Sequence, residues 1–74
     1  MAETLLPEVK AQAQRALSSS PIFDLRGLQV EWVDGSLLLT GRVETFYHKQ
    51  VAQEVVRNVA DGVRLVNDVA VEYA

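Results

Sequence analysis

The chain has 74 residues, nearly half of them hydrophobic, and a formal net charge of −3. This composition is typical of one small folded domain, here residues 1–74, and the negative charge argues against nucleic-acid binding, which depends on clustered Lys and Arg. The absence of Cys excludes disulfides and thiolate chemistry. The N-terminus carries Glu3 and no signal-peptide pattern, and no segment is long and apolar enough to span a bilayer, so we expect a cytoplasmic protein.

The first predicted element is an amphipathic helix over about residues 4–17. Its apolar residues recur at helical spacing, which predicts one buried stripe formed by Leu5, Leu6, Val9, Ala13, Ala16 and Leu17. Three serines followed by Pro21 end the helix. Beyond them we expect a short connection in which Ile22, Phe23 and Leu25 pack against the sheet edge.

A β-hairpin is predicted from strands 28–33 and 36–43, because apolar and polar residues alternate on both sides of Asp34-Gly35, a pair typical of a type I′ turn. A two-residue turn fixes the register. Trp32 then faces Leu37, Val30 faces Leu39 and Leu28 faces Gly41 on the core side, whereas Glu31 faces Leu38 and Gln29 faces Thr40 on the other side.

A second helix is predicted over residues 46–60, with Thr45 as its N-cap and Gly62 just beyond its end. Its buried stripe consists of Ala52, Val55, Val56 and Val59. A third strand over residues 63–73 follows, with an irregularity at Asn67-Asp68. The element order is therefore αββαβ, with a right-handed crossover if strands two and three are parallel neighbours.

Three segments carry a resemblance to the BON domain family, namely VDGSLLLTGRV, the helix around Ala52, and GVRLVND. The resemblance implies an α+β fold, a two-layer αββαβ sandwich with both helices on one face of a three-stranded mixed sheet. It also implies structural roles for Gly35 in the turn, Gly41 where a helix comes close, and Gly62 at the helix end. The role usually proposed for these bacterial domains, often present as tandem copies, is attachment to phospholipid membranes.

The start of the second helix is the first candidate contact surface. Phe46, Tyr47 and Lys49, together with Arg42, combine aromatic rings suited to the headgroup boundary with cations attracted to anionic lipid. The alternative is that Phe46 folds back over the helix end and Tyr47 is an ordinary surface residue, since single exposed aromatic residues are common.

A second candidate surface is the sheet face opposite the helices, where Val33 and Leu38 have no predicted cover and the third strand is expected to add only Ala70 and Glu72. An uncovered apolar patch indicates a protein-interaction or self-association module, and hence a possible homo-oligomer. The alternative is that Val33 and Leu38 are isolated apolar surface residues that form no interaction site. Trp32 is expected to pack in the core rather than to bind a ligand.

No catalytic, cofactor or metal site is expected. His48 is the only histidine, lies close to the buried stripe and is predicted to pack or cap, because one histidine without cysteine cannot form a metal cluster of the usual kind. Glu31, Asp34, Asp61 and Asp68 fall at turns or outward positions. With no catalytic triad, phosphate loop or GXXG loop in the sequence, a non-catalytic binding module is predicted.

Overall fold

The computed structural model describes the backbone of residues 2–73 and the side chains of residues 8–73. Two α-helices, a 3-10 helix and five short strands are present within that range. In chain order they are α1 (Ala2–Ser18), the 3-10 helix (Phe23–Gly27), β1 (Gln29–Val33), β2 (Ser36–Thr40), β3 (Arg42–Val43), α2 (Phe46–Val59), β4 (Leu65–Asn67) and β5 (Ala70–Val71). The predicted boundaries of the helices and of the first strand differ from these by one or two residues, as helix and strand ends commonly do.

The hairpin register is the predicted one. Trp32 pairs with Leu37, Val30 with Leu39 and Glu31 with Leu38 in the antiparallel ladder between β1 and β2. Asp34 and Gly35 both have positive φ, as a type I′ turn requires. Local turn chemistry therefore decides which side chains of the hairpin face the core.

The third strand lies parallel to the second, which confirms a three-stranded mixed sheet. The predicted strand 63–73 is nevertheless divided into β4 and β5, and the predicted strand 36–43 into β2 and β3. The sequence offset is the same in the β2–β4 and β3–β5 ladders, and the N–H groups of Asp68 and Ala70 still donate to the carbonyls of Leu39 and Gly41. The breaks therefore bend one sheet without shifting its register.

Gly41 marks one of these breaks, with φ +129°. A Cβ atom at this position would lie 2.6 Å from Cδ2 of Leu28 and 3.3 Å from its Cα. The expectation that a helix approaches Gly41 is therefore wrong. The close neighbour is Leu28, as the predicted register requires, because that register continues one residue beyond the pair of Gln29 and Thr40.

The core lies between the sheet and the two helices. Its fully buried large side chains come from every layer, namely Leu17, Leu25, Leu28, Val30, Leu37, Leu39, Val56 and Val69. Of the predicted helical stripes, Ala13 and Leu17 in α1 and Ala52 and Val56 in α2 are buried, whereas Val55 and Val59 are partly buried and pack against the core. The predicted stripe positions Leu5 and Leu6 lie outside the described side chains.

Helix α1 also covers the outer edge of β1. The side-chain amide of Gln14 donates to the carbonyl of Leu28 at 2.8 Å, and its oxygen accepts the N–H of Val30 at 3.0 Å. One turn earlier in the helix, Lys10 forms an ion pair with Glu31 at 3.2 Å. Because an open strand edge exposes unpaired backbone groups, Gln14 serves as a substitute for a missing neighbouring strand.

The segment between α1 and β1 differs from its prediction. It forms a 3-10 helix in which Leu25 is buried and Ile22 is partly buried, but Phe23 is 79% exposed. Phe23 therefore does not pack against the sheet as expected. A helical turn directs residues 22 and 25 to the same side and residue 23 away from it.

Candidate functional site

The start of α2 is fixed by its N-cap. Thr45 has extended backbone geometry, and its Oγ1 accepts the N–H of His48 at 3.0 Å. This bond satisfies one of the backbone donors left free at a helix start and sets the rotation of the first turn. The predicted cap is thereby confirmed, and it determines which side chains of that turn face solvent.

Phe46 and Tyr47 both point outward from this first turn. Phe46 is 55% exposed and Tyr47 is 67% exposed, so Phe46 does not fold back beneath the helix end. The Tyr47 ring lies 5.9 Å from the ring of His48, centroid to centroid, at a tilt of 49°. Lys49 is partly buried and has no side-chain ion pair within the described part of the chain. Two aromatic rings and an unpaired ammonium group therefore share one helical turn.

Arg42 lies close by in β3 but differs from Lys49. Its guanidinium forms an ion pair with Glu72 at 3.1 Å, and both side chains are largely exposed. The parallel pairing of β3 with β5 sets Arg42 opposite Ala70, so that Glu72, two residues farther along, lies diagonally from Arg42 on the same side of the sheet. Most of the positive charge of Arg42 is therefore already matched, which reduces its use as an attractor of anions.

Asp24 is a residue of this region that the sequence did not indicate. Its Oδ2 accepts the backbone N–H of Glu44 at 2.8 Å and lies 2.9 Å from Nδ1 of His48. The Glu44 bond, followed by the His48 bond, holds the pKa of Asp24 below its ordinary value despite partial burial. The only signal in the sequence for this contact was the position of His48 beside the buried stripe. That position did not reveal that the partner of His48 lies in the 3-10 helix.

The surface around α2 forms an open depression of about 540 Å³. Phe46, Tyr47 and Lys49 line its beginning, and Val51 and Val55 contribute apolar surface farther along the helix. Its lining residues lie on both flanks of α2, so the depression is an extended surface and not an enclosed site. Such a shape suits contact with a broad partner better than capture of a small molecule.

The sheet face opposite the helices is more apolar than predicted. Val33 is 44% exposed, Leu38 is partly buried, and Val66 of β4 is 45% exposed and pairs directly with Leu38. The prediction that the third strand adds only Ala70 and Glu72 to this face is therefore wrong. Alternation along the third strand places Val66 on the same side as Ala70, and this was the signal available in the sequence.

The candidate residues do not converge on one site. Arg42, Phe46, Tyr47 and Lys49 lie around the start of α2, whereas Val33 and Leu38 belong to the open sheet face near the hairpin turn. Among the described residues no group of three His, Asp or Glu side chains could hold a metal ion. Within the same range, no helix is both long enough and apolar enough to cross a membrane.

These features define a small α+β domain of the binding class, with exposed aromatic and apolar surfaces on a two-helix, three-stranded scaffold. A profile of the BON domain matches residues 7–73. The chain therefore belongs to the BON domain family, and this membership supports a non-catalytic binding module. No curated protein matches the chain.

Proposed function

We propose that this BON domain is a peripheral module that attaches to phospholipid membranes. The observation that carries the proposal is the exposure of Phe46 and Tyr47 beside Lys49, which has no ion pair among the described residues, in the first turn of α2. Aromatic rings partition to the headgroup boundary, and a cation near an anionic surface contributes about 1 kcal/mol. The contact residues are Phe46, Tyr47 and Lys49, with a smaller contribution from Arg42.

Vesicle flotation tests this function. The purified domain is mixed with vesicles of phosphatidylcholine, alone or with phosphatidylglycerol, at low and high salt. We expect flotation with the anionic vesicles that decreases as salt rises, because screening weakens attraction between exposed charges. Absence of flotation under every condition would refute the proposal.

A matched pair of variants locates the contact. The triple variant with Phe46→Ala, Tyr47→Ala and Lys49→Ala is expected to lose flotation. The control combines Arg57→Ala, an exposed cation in the last turn of α2, with Val66→Ala on the open sheet face. The control should float like the parent, and a triple variant that also does so would exclude this surface.

A second candidate function is protein interaction or self-association through the open sheet face. The specific observation in its favour is that Val66 extends the patch formed by Val33 and Leu38 across all three strands. Light scattering gives the mass in solution. If that mass exceeds one chain, Leu38→Lys should lower it, whereas Gln50→Lys, which adds the same charge to an exposed position on α2, should not. A single-chain mass in both variants and in the parent would count against self-association.

A further inference from the structure

Four of the five aromatic residues in the sequence are more than half exposed, and all four lie at one end of the domain. Beside Phe46 and Tyr47, these are Phe23 and Tyr73, the latter 78% exposed. The fifth, Trp32, is partly buried next to the hairpin turn. Scattered exposure is ordinary for single aromatic residues, but a shared location calls for a physical reason. We refer to Phe23, Phe46, Tyr47 and Tyr73 together as the aromatic end.

Phe23 reaches this end through its neighbour in the chain. Asp24 binds both the backbone N–H of Glu44 and the ring of His48, so the 3-10 helix is attached to the segment that leads into α2 and to the first turn of α2. Phe23 precedes Asp24 and projects into solvent at that attachment. The guanidinium carbon of Arg26 lies 5.8 Å from the centre of the Phe23 ring, which keeps a cation beside it.

Tyr73 reaches the same end through the sheet. Val71 pairs with Val43 in the parallel β3–β5 ladder, and the N–H of Glu72 donates to the carbonyl of Val43 at 2.9 Å. The carboxyl ends of parallel strands meet at one edge of a sheet. Tyr73 therefore lies where the chain leaves β3 for α2, at the opposite end of the sheet from the hairpin turn.

Charge distinguishes this end from the rest of the domain. It contains three cations and three carboxylates, so its formal charge is zero and the net charge of −3 belongs to the rest of the chain. The cations are Arg26, Arg42 and Lys49, and the carboxylates are Asp24, Glu44 and Glu72. An anionic surface repels the negatively charged remainder of the domain but does not repel this end, whose formal charge is zero. The domain therefore approaches such a surface preferentially with the aromatic end first.

We propose that the domain docks end-on against an anionic phospholipid bilayer, with Phe23 and Tyr73 entering the headgroup region together with Phe46 and Tyr47. This inference rests on the proposed membrane attachment and adds the orientation and two contact residues from other parts of the chain. The carboxyl ends of β3 and β5 point toward the lipid and the hairpin turn points away. Aromatic rings held on the 3-10 helix, on α2 and on the segment that follows β5 fix a tilt that one helical turn cannot.

Single cysteine labels test the orientation, because the chain has no Cys of its own. Phe23→Cys, Tyr73→Cys and Phe46→Cys are each labelled with a fluorophore that brightens and shifts to the blue on leaving water, and Val66→Cys serves as the control. With vesicles of phosphatidylcholine and phosphatidylglycerol, we expect the change at positions 23, 46 and 73 and not at position 66. If the fluorescence changes at position 46 but stays as constant at positions 23 and 73 as it does at the control position 66, end-on docking is overturned. The proposed function is left intact by that result.

Alanine variants supply a second measurement that does not depend on a label. Phe23→Ala with Tyr73→Ala should weaken vesicle binding on the order of tenfold, because two interfacial rings are removed, while Val33→Ala with Val66→Ala should leave it unchanged. Circular dichroism establishes that both double variants fold, as their exposed positions lead us to expect. Unchanged binding of the Phe23 and Tyr73 variant overturns the inference. If the parent itself does not bind the vesicles, both the inference and the proposed function fail.

Discussion

Asp24 and His48 are 24 residues apart in the sequence, yet Oδ2 of Asp24 lies 2.9 Å from Nδ1 of His48. The same oxygen accepts the N–H of Glu44, one residue before the N-cap of α2. The 3-10 helix and the second helix are therefore joined by one carboxylate. This connection places Phe23 at the same end of the domain as the exposed aromatic residues of α2.

The first prediction concerns pH. Because the pKa of Asp24 is lowered in the folded state, chiefly by the Glu44 N–H and then by His48, its charge stabilises the fold above the ordinary carboxyl pKa. That stabilisation is lost as pH falls through the lowered value. Asp24→Asn should therefore be less stable than the parent at pH 7, and the difference in unfolding midpoint should shrink in strongly acidic solution. Urea unfolding of both proteins across the pH range measures the difference between their midpoints. If that difference does not change with pH, the assigned role of the Asp24 charge is contradicted.

The second prediction concerns Gln14. Gln14→Ala leaves the carbonyl of Leu28 and the N–H of Val30 without their partner at a partly buried strand edge. An unsatisfied group of this kind costs about 1–3 kcal/mol, so the free energy of unfolding should fall by that amount. Gln12→Ala, an exposed position on the same helix, is the control and should change little. Equal effects of the two variants in urea unfolding would contradict a stabilising edge contact, because Ala is at least as good a helix former as Gln at both positions.

The third prediction concerns Gly41. A side chain there requires φ near +129° and meets Leu28 at 2.6 Å. Gly41→Ala should destabilise the fold by about 1–3 kcal/mol from the backbone strain alone. At Gly27 an added Cβ has no neighbour within 4 Å, and Gly27→Ala should stay within about 0.5 kcal/mol of the parent. Thermal unfolding compares the two, and a Gly41 variant as stable as the Gly27 variant would disprove the close approach.

The fourth prediction separates two cations near the proposed lipid contact. Lys49 has no ion pair among the described residues, whereas Arg42 is matched by Glu72 at 3.1 Å. Lys49→Ala should lower the vesicle partition coefficient about fivefold, the equivalent of one well-placed cation. Arg42→Ala removes one member of an exposed pair and should lower it by less. Flotation at low salt ranks the two variants, and a larger effect at Arg42 would contradict the assigned roles.

Much of the fold could be predicted because its signals are local. The Asp34-Gly35 turn sets the hairpin register, Thr45 sets the start of α2, and helical spacing identifies Ala52 and Val56 as buried. In each case the residues that cause the structural feature lie within a few positions of it, so a short stretch of sequence is enough to predict the feature. The outward direction of Tyr47 follows from the same periodicity, whereas the sequence left open whether Phe46 is exposed or folds back over the helix end.

The rest depends on contacts between distant segments. Phe23 was expected to pack against the sheet edge and is exposed. Gly41 was expected near a helix, but its nearest neighbour is Leu28, the residue that the hairpin register places opposite it. Val66 was missed on the open sheet face. The position of Phe23 depends on how the 3-10 helix packs against the rest of the domain, which no local pattern encodes. The hairpin register and the alternation along the third strand already contained the signals for the other two.

The sequence by itself therefore determined the two helices, the hairpin with its register, the returning strand, their order and the resemblance to BON domains, because turns, caps and periodicity act locally. Only the tertiary structure decided that Asp24 joins His48, that Glu72 pairs with Arg42, and that four aromatic side chains from three separate segments share one end. The physical reason is that these relationships arise from long-range packing and parallel strand pairing, in which residues far apart in the chain become neighbours only once the core has formed.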